Sequence, residues 1–271
     1  MAEKSSIRFL IIGDLHGVKP NIYFKKDKFD AIIFPGDVCS DKELRVHTNN
    51  WVASWGKTKT PYKEFEKYID KFGRKKYEKL GKNSIIEGRK ILKFLDSFNK
   101  PIFFIPGNWD QSYGKSNIQD GNEDLSNFYQ IKKALDKMYG KTNKELIKGI
   151  KNIIDCQFRM HSLEKFNILG YGCTNFSERI RTKKVKNKYH KKIVLRAYNK
   201  IFNKLRGEHM KRDKKKPTIF LSHNMPYKSK MDTIRKKGSP VNGQHYGSTI
   251  SKEFIKKYQP LVCVGGHFHE Y

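Results

Sequence analysis

Seven side chains in five short stretches are of the kinds that bind divalent metal ions. They are Asp14 and His16 in Gly13-Asp14-Leu15-His16, Asp37 after Gly36, Asn108 after Gly107, His223 after Ser222, and His267 and His269 in Gly265-Gly266-His267-Phe268-His269. Imidazole, carboxylate and amide donors without a thiolate suit first-row divalent ions such as Mn, Fe or Zn better than Mg. Donors for two ions in one chain point to hydrolysis at a phosphoester, where a metal pair stabilises the attacking and the leaving oxygen together. A lone Gly-Asp or a lone histidine carries little weight, because Asp and Asn are ordinary turn residues that hydrogen-bond their own backbone. The shared setting separates these residues from turn residues: each motif directly follows an apolar, β-branched run.

Those runs are Ile7 to Ile12, Ala31 to Phe34, Pro101 to Ile105, Thr218 to Leu221 and Leu261 to Val264. Their length and composition are those of buried strands. Four of the motifs begin with glycine, which lets the backbone turn sharply as a strand stops. The polar side chain that follows then swings over the strand end, so the spacing predicts ligands gathered along one rim of a sheet.

In this order the motifs resemble the calcineurin-like metallophosphoesterase family, whose pattern is DxH, GD, GNH(D/E), H and GHxH. The likeness runs from Asp14 to His269, nearly the whole chain. It implies an α/β fold, a four-layer αββα sandwich of two mixed β-sheets with flanking helices. It also implies that Asp14, His16 and His269 hold one metal, that Asn108, His223 and His267 hold the other, and that Asp37 bridges both. Two such ions sit about 3.5–4 Å apart and lower the pKa of a bound water toward neutrality, so a bridging hydroxide is the implied nucleophile.

The chain departs from the pattern at one position. After Gly107-Asn108 the family carries a histidine that protonates the leaving group; here the residues are Trp109 and Asp110. An indole N–H donates a hydrogen bond but does not titrate. The departure leans the expected substrate toward phosphodiesters, cyclic phosphates or activated esters, with Asp110 kept as a candidate catalytic carboxylate. The stretch Ser222 to Met231-Asp232, followed by Gly243-Gln244-His245-Tyr246-Gly247-Ser248, is similar to a loop of small prokaryotic members of the family. Histidine is the residue type suited to acid or base work near neutral pH, so its His245 is the candidate substitute acid or phosphate contact, with Ser248 and Asn108 beside it as substrate contacts.

The 271 residues read as one domain, 1–271, with helical insertions at about 41–98, 125–154 and 180–216. Helical spacing is visible in Phe65, Tyr68, Ile69 and Phe72, in Ile91, Leu92 and Leu95, and in Phe128, Ile131, Leu135, Met138, Leu146, Ile150 and Ile153. Aromatic stripes such as Phe65 with Phe72 read as core. The chain ends at Tyr271, two residues after His269, where the resembling family continues through further strands. Either a truncated chain or a small second sheet is expected.

Net charge is +30, a field that concentrates anionic substrates and admits non-specific nucleic acid as a partner. Lysine carries most of it, and arginine, the better phosphate fork, is scarce. Four scattered cysteines, Cys39, Cys156, Cys173 and Cys263, make no Cys-x-x-Cys pair and suit a reduced, cytoplasmic protein. The N-terminal apolar run ends at Gly13-Asp14, too short for a signal core or a membrane span, so no membrane partner is expected. Two alternatives remain beside phosphoester hydrolysis. One is a nuclease on DNA or RNA, suggested by charge; the other is a catalytically quiet binding module that retains the fold, suggested by Trp109 and the abrupt terminus.

Overall fold

A computed structural model describes residues 6–23, 25–54, 61–110, 142–172, 178, 188–235, 237 and 242–269. The apolar runs form two four-stranded sheets. The first holds β1 (Phe9–Ile11), β2 (Ala31–Phe34), β3 (Ile102–Phe104) and β4 (Ile153–Asp155) in that order; the second holds β5 (His161–Ser162), β6 (Asn167–Tyr171), β7 (Thr218–Asn224) and β8 (Val262–Gly266) in that order. All described pairings of the first sheet are parallel, and the mixed character sits in the second, where β5 runs antiparallel to β6.

Strand periodicity explains why the sheets stack. Ala31, Ile33, Phe103 and Ile105 of the first sheet pack against Ile168, Ile219, Leu221 and Val264 of the second, making the central core. The alternate residues Ile32, Phe34, Ile102 and Phe104 point outward, onto Ile85, Ile91, Leu92 and Leu95 of α3 (Arg74–Asp96) and Leu146 of α4 (Thr142–Ile147). On the far side Leu169, Tyr171 and Phe220 meet Tyr198 and Leu205 of α5 (Lys188–His209) and Ile250 and Phe254 of α6 (Thr249–Tyr258). Strands buried on both faces must be apolar throughout, as these are. The result is the expected four-layer αββα sandwich.

Among the described residues between β2 and β3 are three helices, α1 (Lys42–Ser54), α2 (Pro61–Phe72) and α3. Leu44, Ile69 and Tyr77 form a separate cluster there with Phe65, Tyr68, Phe72, Leu80 and Trp109. Phe65 and Phe72 are thus packing residues. One reading of the periodicity needs correction: Ile153, placed on a helix by its spacing from Leu146 and Ile150, lies in β4 and pairs with Ile102. Ile153 and Ile154 are β-branched neighbours that fit a sheet as well as a helix face, and pairing with β3 decides between them. Phe128, Ile131, Leu135 and Met138 of that segment, residues 180–187 of the next, and Cys173 fall outside the described residues.

Candidate metal centre

All five motifs sit at or just beyond the C-terminal ends of parallel strands, the edge where open α/β sheets bind ligands. Asp14 and His16 follow β1, Asp37 follows β2, Asn108 follows β3, and His267 and His269 follow β8. His223 lies within β7, which runs three residues past its expected end. Ser222 pairs with Gly265 and Asn224 with Gly266, so His223 is the extra residue of a β-bulge. A bulge re-aims a side chain, which here brings His223 to the same rim as the loop ligands.

The turns are tighter than glycine alone explains. Asp14 (φ 52°), His16 (45°), Asp37 (57°) and His267 (78°) themselves adopt the left-handed conformation. Strain of this kind costs on the order of 1–3 kcal/mol per residue and clusters at functional sites. Two glycines contribute space instead: a Cβ on Gly107 would collide with the Asp37 side chain and amide, and one on Gly266 with the Asp14 carboxylate.

Two groups of donors result. In the first, His16 Nε2 lies 3.1 Å from His269 Nε2, and His269 Nε2 lies 3.9 Å from Asp14 Oδ1. In the second, Asn108 Oδ1 lies 2.8 Å from both His223 Nε2 and His267 Nδ1. Asp37 Oδ2 faces both groups, 3.8 Å from His16 Nε2 and 3.4 Å from His223 Nε2. The potential ligand atoms of Asp14, His16 and His269 all lie within 4.8 Å of one another, as do those of Asp37, His223 and His267.

The hydrogen bonds fit a bound cation. His223 Nδ1 lies 2.9 Å from the Pro35 carbonyl, to which it must donate. In the neutral ring Nε2 is then a lone pair facing the Asn108 and Asp37 oxygens, an acceptor against acceptors that only a proton or a cation can reconcile. A backbone carbonyl fixing the second nitrogen is the usual outer partner of a metal-ligating histidine. His16 Nδ1 faces Asp41 Oδ2 at 3.4 Å, so Nε2 is again the inward nitrogen. Asp14 receives the His267 amide on both oxygens at 3.1 and 3.0 Å.

The charges respond to this crowding. Burial pushes the Asp14 carboxyl up and the His16 imidazole down. Burial also opposes charge on Asp37 and His223, but their mutual attraction outweighs it. The Asp37 carboxyl is held below its usual range, and the His223 imidazole is raised to about 9.

Two expected substrate-facing residues turn inward. Asp110 is fully buried and accepts the amides of Asp37 (2.8 Å), Val38 (2.9 Å), Cys39 (2.9 Å) and Gly107 (2.7 Å), tying the β2 loop to the β3 loop. Burial, then the nearby Asp37 charge, raises its carboxyl to about 6. All of its observed partners are backbone amides of the two ligand loops. Ser248 is also fully buried; its hydroxyl caps α6 by accepting the Ser251 amide at 3.0 Å and donates to Glu178 at 2.5 Å.

His245 stands in the loop beside β7. Asn224 Nδ2 donates to the Tyr246 carbonyl (3.1 Å), and the Ser248 amide donates to the Met225 carbonyl (2.7 Å). His245 Nδ1 is 2.6 Å from Oδ1 of the fully buried Asp232, whose Oδ2 accepts the amides of Lys228 (2.7 Å) and Gly247 (3.0 Å). Asp41 and Arg45 were not singled out by sequence, because neither belongs to a motif; their only signal is position, four and eight residues after Asp37 on the first turn of the insertion.

The rim of a two-sheet sandwich thus carries two sets of donors, each close enough together to hold a metal ion. The chain belongs to the calcineurin-like phosphoesterase family, whose model matches residues 7–271, and it is a metal-dependent phosphoesterase of the kind that typically binds two divalent ions. Among solved structures, the phosphopantetheinyl hydrolase PptH from Mycobacterium tuberculosis is 12% identical and matches with a TM-score of 0.43, covering 97% of this chain and 83% of that one. Another solved structure is 14% identical with a TM-score of 0.46, covering 96% of this chain and 83% of the other. No curated protein sequence matches this chain. Among the described residues no helix is long and apolar enough to cross a membrane.

Proposed function

We propose that this chain hydrolyses a phosphodiester or a phosphoester with an activated leaving group, using Asp14, His16 and His269 for one divalent ion, Asn108, His223 and His267 for the second, and Asp37 for both. The observation that carries the reading is the position of Asp37 Oδ2 between the two donor groups. The ions, Mn, Fe or Zn by ligand chemistry, supply the Lewis acidity that makes water a nucleophile at neutral pH. The protein supplies the rest. Asp110 holds the loops of Asp37 and Asn108 in register, the Pro35 carbonyl orients His223, Asp41 faces His16, and Asp232 orients His245 as the proton donor in place of the residue that Trp109 displaces.

A nuclease is the second reading within this chemistry, supported by the net charge of +30. A quiet binding module is disfavoured, since a scaffold has no need of strained ligand turns. Free thiols at Cys39, Cys156 and Cys263 fit a cytoplasmic setting. The test is to load purified protein with Mn²⁺, count bound metal, and compare bis(p-nitrophenyl) phosphate with p-nitrophenyl phosphate. Two ions per chain and a preference for the diester are expected. Less than one ion per chain, or a preference for the monoester, refutes the reading.

A further inference from the structure

The helices between β2 and β3 bring a cation to the edge of the metal centre. Arg45, on the first turns of α1, donates from Nε to Asp41 Oδ2 at 2.6 Å and from its terminal nitrogen to the same oxygen. That oxygen also faces His16 Nδ1 at 3.4 Å, so the guanidinium stands one carboxylate away from a candidate ligand. Its carbon lies 5.7 Å from the centroid of the Trp109 ring. Trp109 is fixed at both ends: its amide donates to Asp37 Oδ1 at 2.7 Å, and its ring packs against the Leu44, Ile69 and Tyr77 cluster. The guanidinium is thus clamped between two residues that each touch the centre, while its side chain remains 49% exposed.

An i,i+4 ion pair on a helix surface is ordinary and weak. This one differs because the carboxylate is buried and shared with a histidine, and because the ring beneath the arginine replaces the family's acid. Arginine offers five donors in a rigid fork, and a single carboxylate oxygen takes two of them. The remaining edge suits a phosphate oxygen. Placed beyond His16, it is set for a group attached to the reacting phosphoryl group and not for that group itself.

We infer that Arg45, clamped between Asp41 and Trp109, recognises a second anionic group on the substrate, a phosphate borne on the same molecule as the phosphoester that is hydrolysed. Arg45 is then a specificity-determining residue, and the substrate class is a bisphosphorylated compound. The inference rests on the phosphoester reading above and names the substrate class within it.

Two probes with the same leaving group separate the outcomes: thymidine 5′-(p-nitrophenyl phosphate), and the same compound carrying a 3′-phosphate. With Mn²⁺-loaded protein, kcat/KM for the 3′-phosphorylated probe is expected to be about 10- to 100-fold higher, the range of one charge-assisted contact, with most of the gain in KM. Arg45→Ala is expected to abolish that ratio, and Arg45→Lys to restore part of it. No preference in the wild type, or a preference that survives in Arg45→Ala, overturns the inference. If neither probe is hydrolysed, the phosphoester reading has failed, and calorimetric binding of adenosine 3′,5′-bisphosphate against adenosine 5′-monophosphate still decides the subsite. Tighter binding of the bisphosphate that Arg45→Ala removes upholds it; equal binding of the two overturns it.

Discussion

Replacing His245 by alanine should make the enzyme sensitive to its leaving group. The imidazole is held by a buried carboxylate 2.6 Å from Nδ1, and that carboxylate is itself fixed by two backbone amides. Nδ1 therefore carries the hydrogen that Asp232 accepts, which leaves Nε2 as the nitrogen for the proposed proton transfer. General acid catalysis is worth roughly 10²–10⁴-fold, or about 3–5 kcal/mol of barrier. A nitrophenolate departs without a proton and forfeits little of this; a phenolate or an alkoxide forfeits most of it. The assay is kcat for a series of aryl and alkyl phosphodiesters, with Mn²⁺ saturating. His245→Ala should leave the nitrophenyl diester within a few fold of wild type and slow the alkyl diester by roughly 10²-fold or more. Asp232→Asn should fall between, because it keeps the imidazole but sets an amide N–H₂ against backbone donors. An equal loss on every leaving group would mean that His245 only binds substrate, and no loss on the alkyl diester would mean that it does not act at all.

Asp37→Asn should lower bound metal toward one ion per chain and remove most activity, checked by elemental analysis beside turnover, since it weakens the one carboxylate facing both donor groups. Gly266→Ala should do likewise at the Asp14 side, because the new methyl group would displace the Asp14 carboxylate; the check is metal content and melting temperature measured together. His209 is buried against Phe254 and Tyr258, and burial lowers its pKa from 6.5 to about 4. Its contribution is whole above pH 6.5 and is lost as pH falls toward 4, by about 3 kcal/mol at most, because only the unfolded chain takes up the proton over that interval. Urea unfolding of His209→Phe across this interval should show a flatter pH dependence than wild type. Binding to DNA or RNA, where it occurs, should be sequence-blind and fall steeply with salt, as counterion release requires; tight, sequence-dependent binding at high salt would favour the nuclease reading.

What could be read from the sequence was the rim, because strand and ligand are adjacent along the chain. An apolar run of four to six residues ending in Gly-Asp specifies both an element and the place of a side chain. His223 was legible as a residue but not as a bulge: nothing in Thr218 to Asn224 marks one residue as extra, and the fact emerges only from the register of β8. The burial of Asp110 and Ser248 was hidden in the sequence for a related reason. A polar residue next to a motif looks exposed in sequence, whereas partners distant along the chain hold each inward: the Asp37, Val38 and Cys39 amides for Asp110, and the Glu178 carboxylate for Ser248.

Trp109 is the residue whose meaning changed most. By sequence it was a missing acid, a loss with nothing in exchange. In the fold its ring closes the aromatic cluster of α1, α2 and α3 onto the β3 loop, while its amide holds Asp37. The insertion in turn carries Asp41 against His16 and Arg45 over the indole. Where the resembling family has a histidine, this chain thus has a ring with a cation over it, and in the proposed reading protonation falls to His245 in the loop after β7. The coupling is testable: Trp109→Ala should loosen Arg45 and erase the preference for a second phosphate, yet leave the His245-dependent discrimination among leaving groups intact. If both selectivities fell together, the two functions would share one support and this division of labour would be wrong.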